Sequence, residues 1–202
     1  MRPIDARIIS LVFFAILSLQ ACSFVHHKPS GESASAPLQN VYDGDDYRRA
    51  LFALKTGKDE EALTFFNTLS KAHPDFAPSY INVGLIEIKR GNLHTAESAL
   101  LHAATLTPQQ PEIYNSLGII YRRLGRFDDA EKEYLKALQL APDYANAQLN
   151  LGILYDIYLN DLNTALVHYE KYQTITGGDN IVVAKWVIDV KQRINRNIGS
   201  AK

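Results

Sequence analysis

One 34-residue period governs most of this chain. Four kinds of residue return at that interval: a glycine, an alanine, a second glycine and a proline. A period of roughly 20 to 50 residues indicates stacked structural repeats. Four series of residues that share one period, called ladders below, strongly favour this architecture. The ladders consist of Gly84, Gly118 and Gly152; Ala62, Ala96 and Ala130; Gly57, Gly91 and Gly125; and Pro74, Pro108 and Pro142.

Residues 111–144 are the clearest copy of the repeating unit. Apolar residues three and four positions apart predict two successive helices. Gly125 falls between them and predicts a left-handed end to the first helix, and Pro142 stops the second helix. Gly118 and Ala130 are small residues on facing helices, which predicts close packing within the hairpin. A single hairpin cannot bury its apolar face alone, so we expect stability to come from stacking.

This unit resembles the tetratricopeptide repeat. The resemblance rests on Tyr114, Leu117, Gly118, Tyr121, Gly125, Ala130, Tyr134, Ala137 and Pro142. It implies an all-α fold, a right-handed solenoid of helical hairpins. We predict about four repeats, at residues 43–76, 77–110, 111–144 and 145–179, followed by a capping helix and tail at residues 180–202.

The fourth repeat departs from the period. Gly152 and Ala165 are 13 residues apart, against 12 in the earlier repeats, so one residue is inserted near residues 157–159. Asn160 replaces the turn glycine, which is acceptable because asparagine enters the left-handed region more readily than most residues. Tyr172 stands where alanine is usual and predicts altered packing of the second helix.

Residues 179–197 predict an amphipathic helix that Asp179 or Asn180 can cap at its start. Such a helix serves either as a partner or membrane helix, or as a cap on the last repeat. We favour the cap, because a solenoid needs a terminal element that covers its open end. The apolar stripe consists of Val183, Val187, Val190 and Ile194.

The amino terminus follows the pattern of an export signal. Arg2 and Arg7 give a positive start before the run IISLVFFAILSL. Its twelve residues are too few to cross about 30 Å of hydrocarbon but suit a signal-peptide core. The run ends in the tetrapeptide LQAC at residues 19–22, which resembles a bacterial lipobox. By that resemblance residues 1–21 are a signal peptide and Cys22 is acylated. The alternative is an ordinary secretory signal in which Cys22 is incidental.

The residues after Cys22 predict a flexible tether. Residues 22–42 are rich in serine, proline, glycine and histidine and lack an apolar period. Ser23 stands where an aspartate would indicate inner-membrane retention, so the resemblance implies the periplasmic face of the outer membrane in a Gram-negative cell. Cys22 is the one cysteine of the chain, which excludes an internal disulfide.

The composition points away from nucleic acid and from catalysis. The formal net charge is −1, so no long-range attraction to polyanions is expected. The histidines form no metalloprotease arrangement, and the acidic clusters at residues 59–61 and 128–129 begin second helices, where negative charge complements the helix dipole. We therefore expect no catalytic residue, no metal, no nucleic-acid partner and no cofactor beyond the lipid on Cys22.

The resemblance also implies a binding groove lined by the first helix of each repeat, through positions 2, 5, 6, 9, 12 and 13. The apolar and amide side chains at these positions suit a protein or peptide ligand, since an amide group both donates and accepts hydrogen bonds. The predicted groove comprises Ile81, Asn82, Leu85, Lys89, Glu112, Asn115, Ile119, Arg122, Arg123, Asn146, Asn150, Ile153 and Asp156.

These features predict a membrane-anchored periplasmic adaptor, a scaffold for the assembly of an envelope complex. The resemblance suggests pilus or secretin assembly, recruitment of peptidoglycan hydrolases, or energy-coupled envelope machinery. The alternative is a cell-wall module that binds glycan or assists an enzyme, for which the extra Tyr158 and Tyr172 are the indication.

Overall fold

The computed structural model describes residues 44–200, and all the regular structure in that range is helical. The predicted signal peptide, Cys22 and the tether lie outside the described residues. The helices are α1 (Asp45–Lys55), α2 (Asp59–Ala72), α3 (Ala77–Arg90), α4 (Leu93–Leu106), α5 (Pro111–Arg123), α6 (Phe127–Leu140), α7 (Ala145–Ile153), a π-helical segment (Leu154–Tyr158), α8 (Leu162–Thr176) and α9 (Ile181–Ser200).

Consecutive helices pair as four hairpins, and α9 follows the last one. The buried side chains form three clusters along the stack: one joins repeats one and two, the largest joins repeats two to four, and one joins α8 to α9. No cluster is confined to one hairpin, so each repeat depends on its neighbour for burial. The predicted all-α solenoid of about four repeats and a C-terminal helix is confirmed.

The first glycine ladder marks a close approach of the two helices in the second, third and fourth hairpins. A Cβ built on Gly118 would lie 2.5 Å from the ring of Tyr134, and Leu100 and Tyr169 take the corresponding places opposite Gly84 and Gly152. The alanines of the second ladder are fully buried. The residue that packs onto each glycine, however, is not the alanine but the large side chain four residues after it.

The turns between paired helices use left-handed residues, as predicted. Gly91 and Gly125 have φ values of 87° and 76°. Asn160, at the corresponding point of the fourth repeat, has φ of 54° and is the one non-glycine residue with positive φ in the described part of the chain.

The extra residue of the fourth repeat is accommodated by the π-helical segment Leu154–Tyr158. A π turn takes one more residue than an α turn, and the amide of Leu159 accordingly donates to the carbonyl of Leu154 at 3.0 Å. The insertion therefore widens the first helix and leaves the turn that follows it intact. Tyr158 is carried to the side of Phe127, with 4.9 Å between their ring centroids.

The helix α9 covers the last hairpin, as the cap interpretation predicts. Asn180 is the capping residue: its side-chain oxygen accepts from the amides of Val182 and Val183 at 3.1 and 3.2 Å. Its amide donates to the Tyr172 hydroxyl at 3.0 Å, so the unusual tyrosine of repeat four fixes the start of α9. The buried contact joins Val183, Val187 and Val190 to Leu162, Ala165 and Tyr169.

Candidate partner-binding groove

The predicted groove residues lie on the first helices α3, α5 and α7, apart from Asp156, which lies in the π-helical segment. Two contacts between helices show that neighbouring first helices lie within side-chain reach of each other. The Asn150 side-chain amide donates to the Asn115 side-chain oxygen at 2.9 Å, and Arg123 donates to the Ile88 carbonyl at 2.5 Å. The fold therefore brings the predicted positions of successive repeats onto one face.

The members of this face differ widely in exposure. Leu85 is 45% exposed, whereas Ala96 of the same hairpin is fully buried. The exposed members are Leu85, Lys89, Glu112, Arg123 and Asn146; the half-buried members are Ile81, Asn82, Ile119, Arg122, Asn150 and Ile153; the buried members are Asn115 and Asp156.

Three of the predicted asparagines, Asn82, Asn115 and Asn150, have hydrogen-bonding groups engaged within the chain. Asn115 is 6% exposed, and its side-chain oxygen accepts from Asn150. Asn82 donates to the Pro78 carbonyl of its own helix at 2.8 Å. The prediction that Asn115 offers its amide to a partner is therefore corrected: the Asn115–Asn150 pair links α5 to α7, because both side chains lie where those two helices meet.

Asp156 also requires a correction. This carboxylate is 8% exposed; it accepts from Arg193 Nη1 at 2.6 Å and from the Tyr169 hydroxyl at 3.3 Å. The hydrogen bond to Asp156 raises the pKa of Arg193. Ile153 packs against the cluster formed by α8 and α9. At Ile153 and Asp156 the predicted groove thus packs against α8 and α9, whereas Asn146 of the same repeat stays exposed.

The adjacent arginines Arg122 and Arg123 have different surroundings. Arg122 is half-buried; its Nε donates to the Tyr134 hydroxyl at 3.3 Å, and its guanidinium lies 5.7 Å from the centroid of the Tyr158 ring. Burial alone lowers the pKa of Arg122, but hydrogen bonds to Tyr134 and Tyr158 outweigh it and the pKa is raised. Arg123 is exposed. Arg122 is therefore part of the packing, and Arg123 is the member of the pair that a partner can reach.

The sequence-based groove missed the contribution of α1. Leu51 and Lys55 occupy the same positions in repeat one as Leu85 and Lys89 in repeat two. Leu51 is 39% exposed, and Lys55 is exposed. Counting 34 residues back from Leu85 and Lys89 identifies Leu51 and Lys55. They were missed because the other residues of α1 match the repeat poorly.

The tyrosines that suggested glycan binding are engaged in packing contacts. Tyr158 lies against Phe127 and beneath Arg122, and Tyr172 accepts the hydrogen bond from Asn180. Within residues 44–200, no three or more histidine, cysteine, aspartate or glutamate side chains are grouped as metal ligands would be. None of the helices described is both long enough and apolar enough to cross a bilayer.

The hairpin solenoid and its first-helix face define a helical-repeat protein. Two sequence profiles described as tetratricopeptide repeat match the chain, at residues 109–176 and at residues 46–75. These two stretches of the chain are therefore similar to tetratricopeptide repeats. A search of curated protein sequences found no match.

Solved structures with the same fold agree with this assignment. MamA superposes with a TM-score of 0.64 at 21% identity, over 73% of this chain and 79% of MamA. A thermophilic tetratricopeptide protein of Thermus thermophilus gives 0.61 at 24% identity, over 73% and 80%. The first tetratricopeptide domain of Spaghetti (RPAP3), bound to an HSP90 peptide, gives 0.55 at 21% identity, over 59% and 93%. At these identities the likeness concerns the fold alone.

Proposed function

We propose that this protein is a non-catalytic adaptor that holds a partner protein on the first-helix face of its repeats. The observation that carries the proposal is the exposure of Leu51 and Leu85 at corresponding positions of α1 and α3. Aliphatic side chains left uncovered on one face of a stacked fold suit a binding surface. The peptide-bound RPAP3 domain, which shares the fold, supports a peptide-binding use of this scaffold.

The proposal includes a lipid anchor on Cys22 at the periplasmic face of the outer membrane. Its support is the sequence of residues 19–22 after a short apolar run. Several acyl chains on one cysteine give stable anchoring, because each buried methylene contributes about 0.8 kcal/mol. A flexible segment the length of residues 22–42 has a root-mean-square reach of about 25 Å. The adaptor then recruits its partner to an envelope complex, such as secretin assembly, hydrolase recruitment or energy-coupled machinery.

Replacement of the lipid-bearing residue tests the anchor. We expect Cys22→Ala to abolish incorporation of labelled fatty acid and to release the chain from the membrane fraction. Ser23→Ala is the matched control and should remain acylated in the outer membrane. Ser23→Asp should move the acylated chain to the inner membrane. Unchanged fractionation of Cys22→Ala would contradict the anchor.

A pair of leucines with equal exposure tests the binding face. Leu85 on α3 and Leu101 on α4 are each 45% exposed, but only Leu85 belongs to the first-helix face. We expect Leu85→Glu to reduce co-purification of the native partner several-fold and Leu101→Glu to leave it unchanged, with both variants folded by circular dichroism. Equal recovery with the two variants would rule out this face as the site.

A further inference from the structure

A row of cations runs across the first-helix face. Lys55, Lys89 and Arg123 stand 34 residues apart in the last turns or at the ends of α1, α3 and α5, and all three are exposed. The Lys89 ammonium pairs with Asp59, whereas Lys55 has no ion pair within the described residues. Cations at a helix C-terminus complement the helix dipole, and here their repetition also lays positive charge along one face of a chain with net charge −1.

A row of aliphatic residues lies one helical turn before these cations. Leu51, Leu85 and Ile119 precede the cations by four residues, which places each aliphatic–cation pair on the same side of its helix. Leu51 and Leu85 are 39% and 45% exposed, and Ile119 is half-buried. Each of the first three repeats thus offers one apolar contact with one positive charge beside it.

Among the carboxylates at the groove positions, only Glu112 offsets this charge at an exposed position. Glu112 lies at the start of α5 and is exposed, a full helix length from Arg123. Asp156 is bonded to Arg193 and Tyr169. Because Asp59 already neutralises Lys89, the positive charge left for a ligand is that of Lys55 and Arg123, and it exceeds the negative charge of Glu112. A basic segment would be repelled by this face and an acidic one attracted.

The spacing of the rows selects an extended ligand. Packed helices lie about 8–10 Å apart, and the Arg123–Ile88 contact shows that α5 and α3 are neighbours on this face. A polyproline-type chain returns a side chain to the same direction every three residues, or about 9 Å. Successive repeats would then contact ligand residues that are three positions apart.

We propose that this face binds an extended acidic segment of a partner protein, with an aliphatic residue at every third position. The aliphatic side chains of the segment lie on Leu51, Leu85 and Ile119, and its carboxylates pair with Lys55, Lys89 and Arg123. This inference rests on the adaptor function proposed above and adds the chemistry and conformation of the ligand.

Synthetic peptides test the ligand chemistry with the full acylated chain in detergent micelles. The probe is a fluorescent peptide of four Leu-Glu-Pro units. One control replaces each glutamate with lysine, and another keeps the composition but scrambles the leucine spacing. We expect the Leu-Glu-Pro peptide to bind about tenfold more tightly than either control by fluorescence anisotropy. Its affinity should fall with added salt, because exposed charges are screened.

Variants of the chain locate the peptide. Arg123→Glu and Leu85→Ser should each weaken the Leu-Glu-Pro peptide about tenfold, whereas Leu101→Ser should not change its affinity. Equal binding of the acidic and basic peptides, failure of all three to bind, or full binding to Leu85→Ser would each overturn the inference. If no peptide binds but Leu85→Glu still reduces co-purification of the native partner, the adaptor function stands and only the proposed ligand chemistry is wrong. If no peptide binds and Leu85→Glu co-purifies the partner as the wild type does, both proposals are wrong.

Discussion

At the residue scale, a tightly packed contact between a glycine and a large side chain recurs in the described part of the chain. Gly84, Gly118 and Gly152 each face a bulky residue of the second helix, and that residue is a tyrosine in repeats three and four. A steric requirement that recurs in repeats two to four produces a ladder in the sequence. The side chain that faces the glycine differs between repeats. The 34-residue period therefore identified the glycine but not the side chain that packs against it.

Gly118→Ala should destabilise the fold. Its Cβ would lie 2.5 Å from the Tyr134 ring, and overpacking of this kind costs about 1–3 kcal/mol, more than the roughly 1 kcal/mol that alanine gains in helix propensity. The free energy of unfolding in urea measures the effect. Gly44→Ala is the control, because a Cβ there meets nothing within 4 Å, and it should cost less. A Gly118→Ala protein as stable as the wild type would contradict the packing described.

His168 should make stability depend on pH. Burial, with a smaller effect from Lys171, lowers the pKa of His168 in the folded chain, and Glu131 opposes this only in part. Its Nδ1 lies 2.8 Å from the Gln148 side-chain oxygen, and its ring stacks on Tyr155. A lowered folded pKa means that the unfolded state binds the proton more readily, so stability is lost as pH falls below about 6.5.

Thermal unfolding between pH 7.5 and pH 5 measures this dependence for the wild type and His168→Gln. The variant should lose less stability over this range than the wild type. His94→Gln, which removes an exposed histidine of α4, is the matched control. Parallel curves for His168→Gln and the wild type would exclude His168 as the source.

At the scale of elements, the π-helical segment and α9 form one arrangement. The inserted residue widens the helix at Leu154–Tyr158, and Asp156 within it binds Arg193 of α9. Arg193 is 37 residues away in sequence, so no pattern within the fourth repeat could show that this carboxylate is already paired. The insertion, the left-handed Asn160 and the capping helix were predictable because each leaves a local signal. The burial of Asn115 and Asp156 was not, because it depends on the helix that packs beside them.

Arg193→Ala should loosen α9 without affecting the first three hairpins. Removal of the guanidinium leaves a buried carboxylate with one weak partner, which costs about 1–3 kcal/mol. Amide hydrogen exchange should therefore speed up in α9 and α8, and stay unchanged in α1 to α6. Arg196→Ala, an exposed arginine of the same helix, is the control. Equal protection of α9 in the two variants would show that the Asp156 contact does not hold the helix.

At the scale of the whole molecule, the period predicts the stack but not which side chains remain open on it. Extended from repeat to repeat, it gives four hairpins, their turns and a common first-helix face. Exposure on that face depends on packing against neighbouring helices: Leu51 and Leu85 stay open, Ile153 meets the cluster of α8 and α9, and Arg122 turns to Tyr134 and Tyr158. The face is therefore open along repeats one to three and, among the predicted positions of repeat four, at Asn146.

Photocrosslinking in intact cells tests whether this open part of the face holds a partner. A photoreactive residue is placed at Leu85 or, as the matched control, at the equally exposed Leu101. We predict a discrete crosslinked product at Leu85 that is absent at Leu101 and is reduced by Arg123→Glu in the same chain. Crosslinking at Leu101 with none at Leu85 would contradict partner binding on the first-helix face.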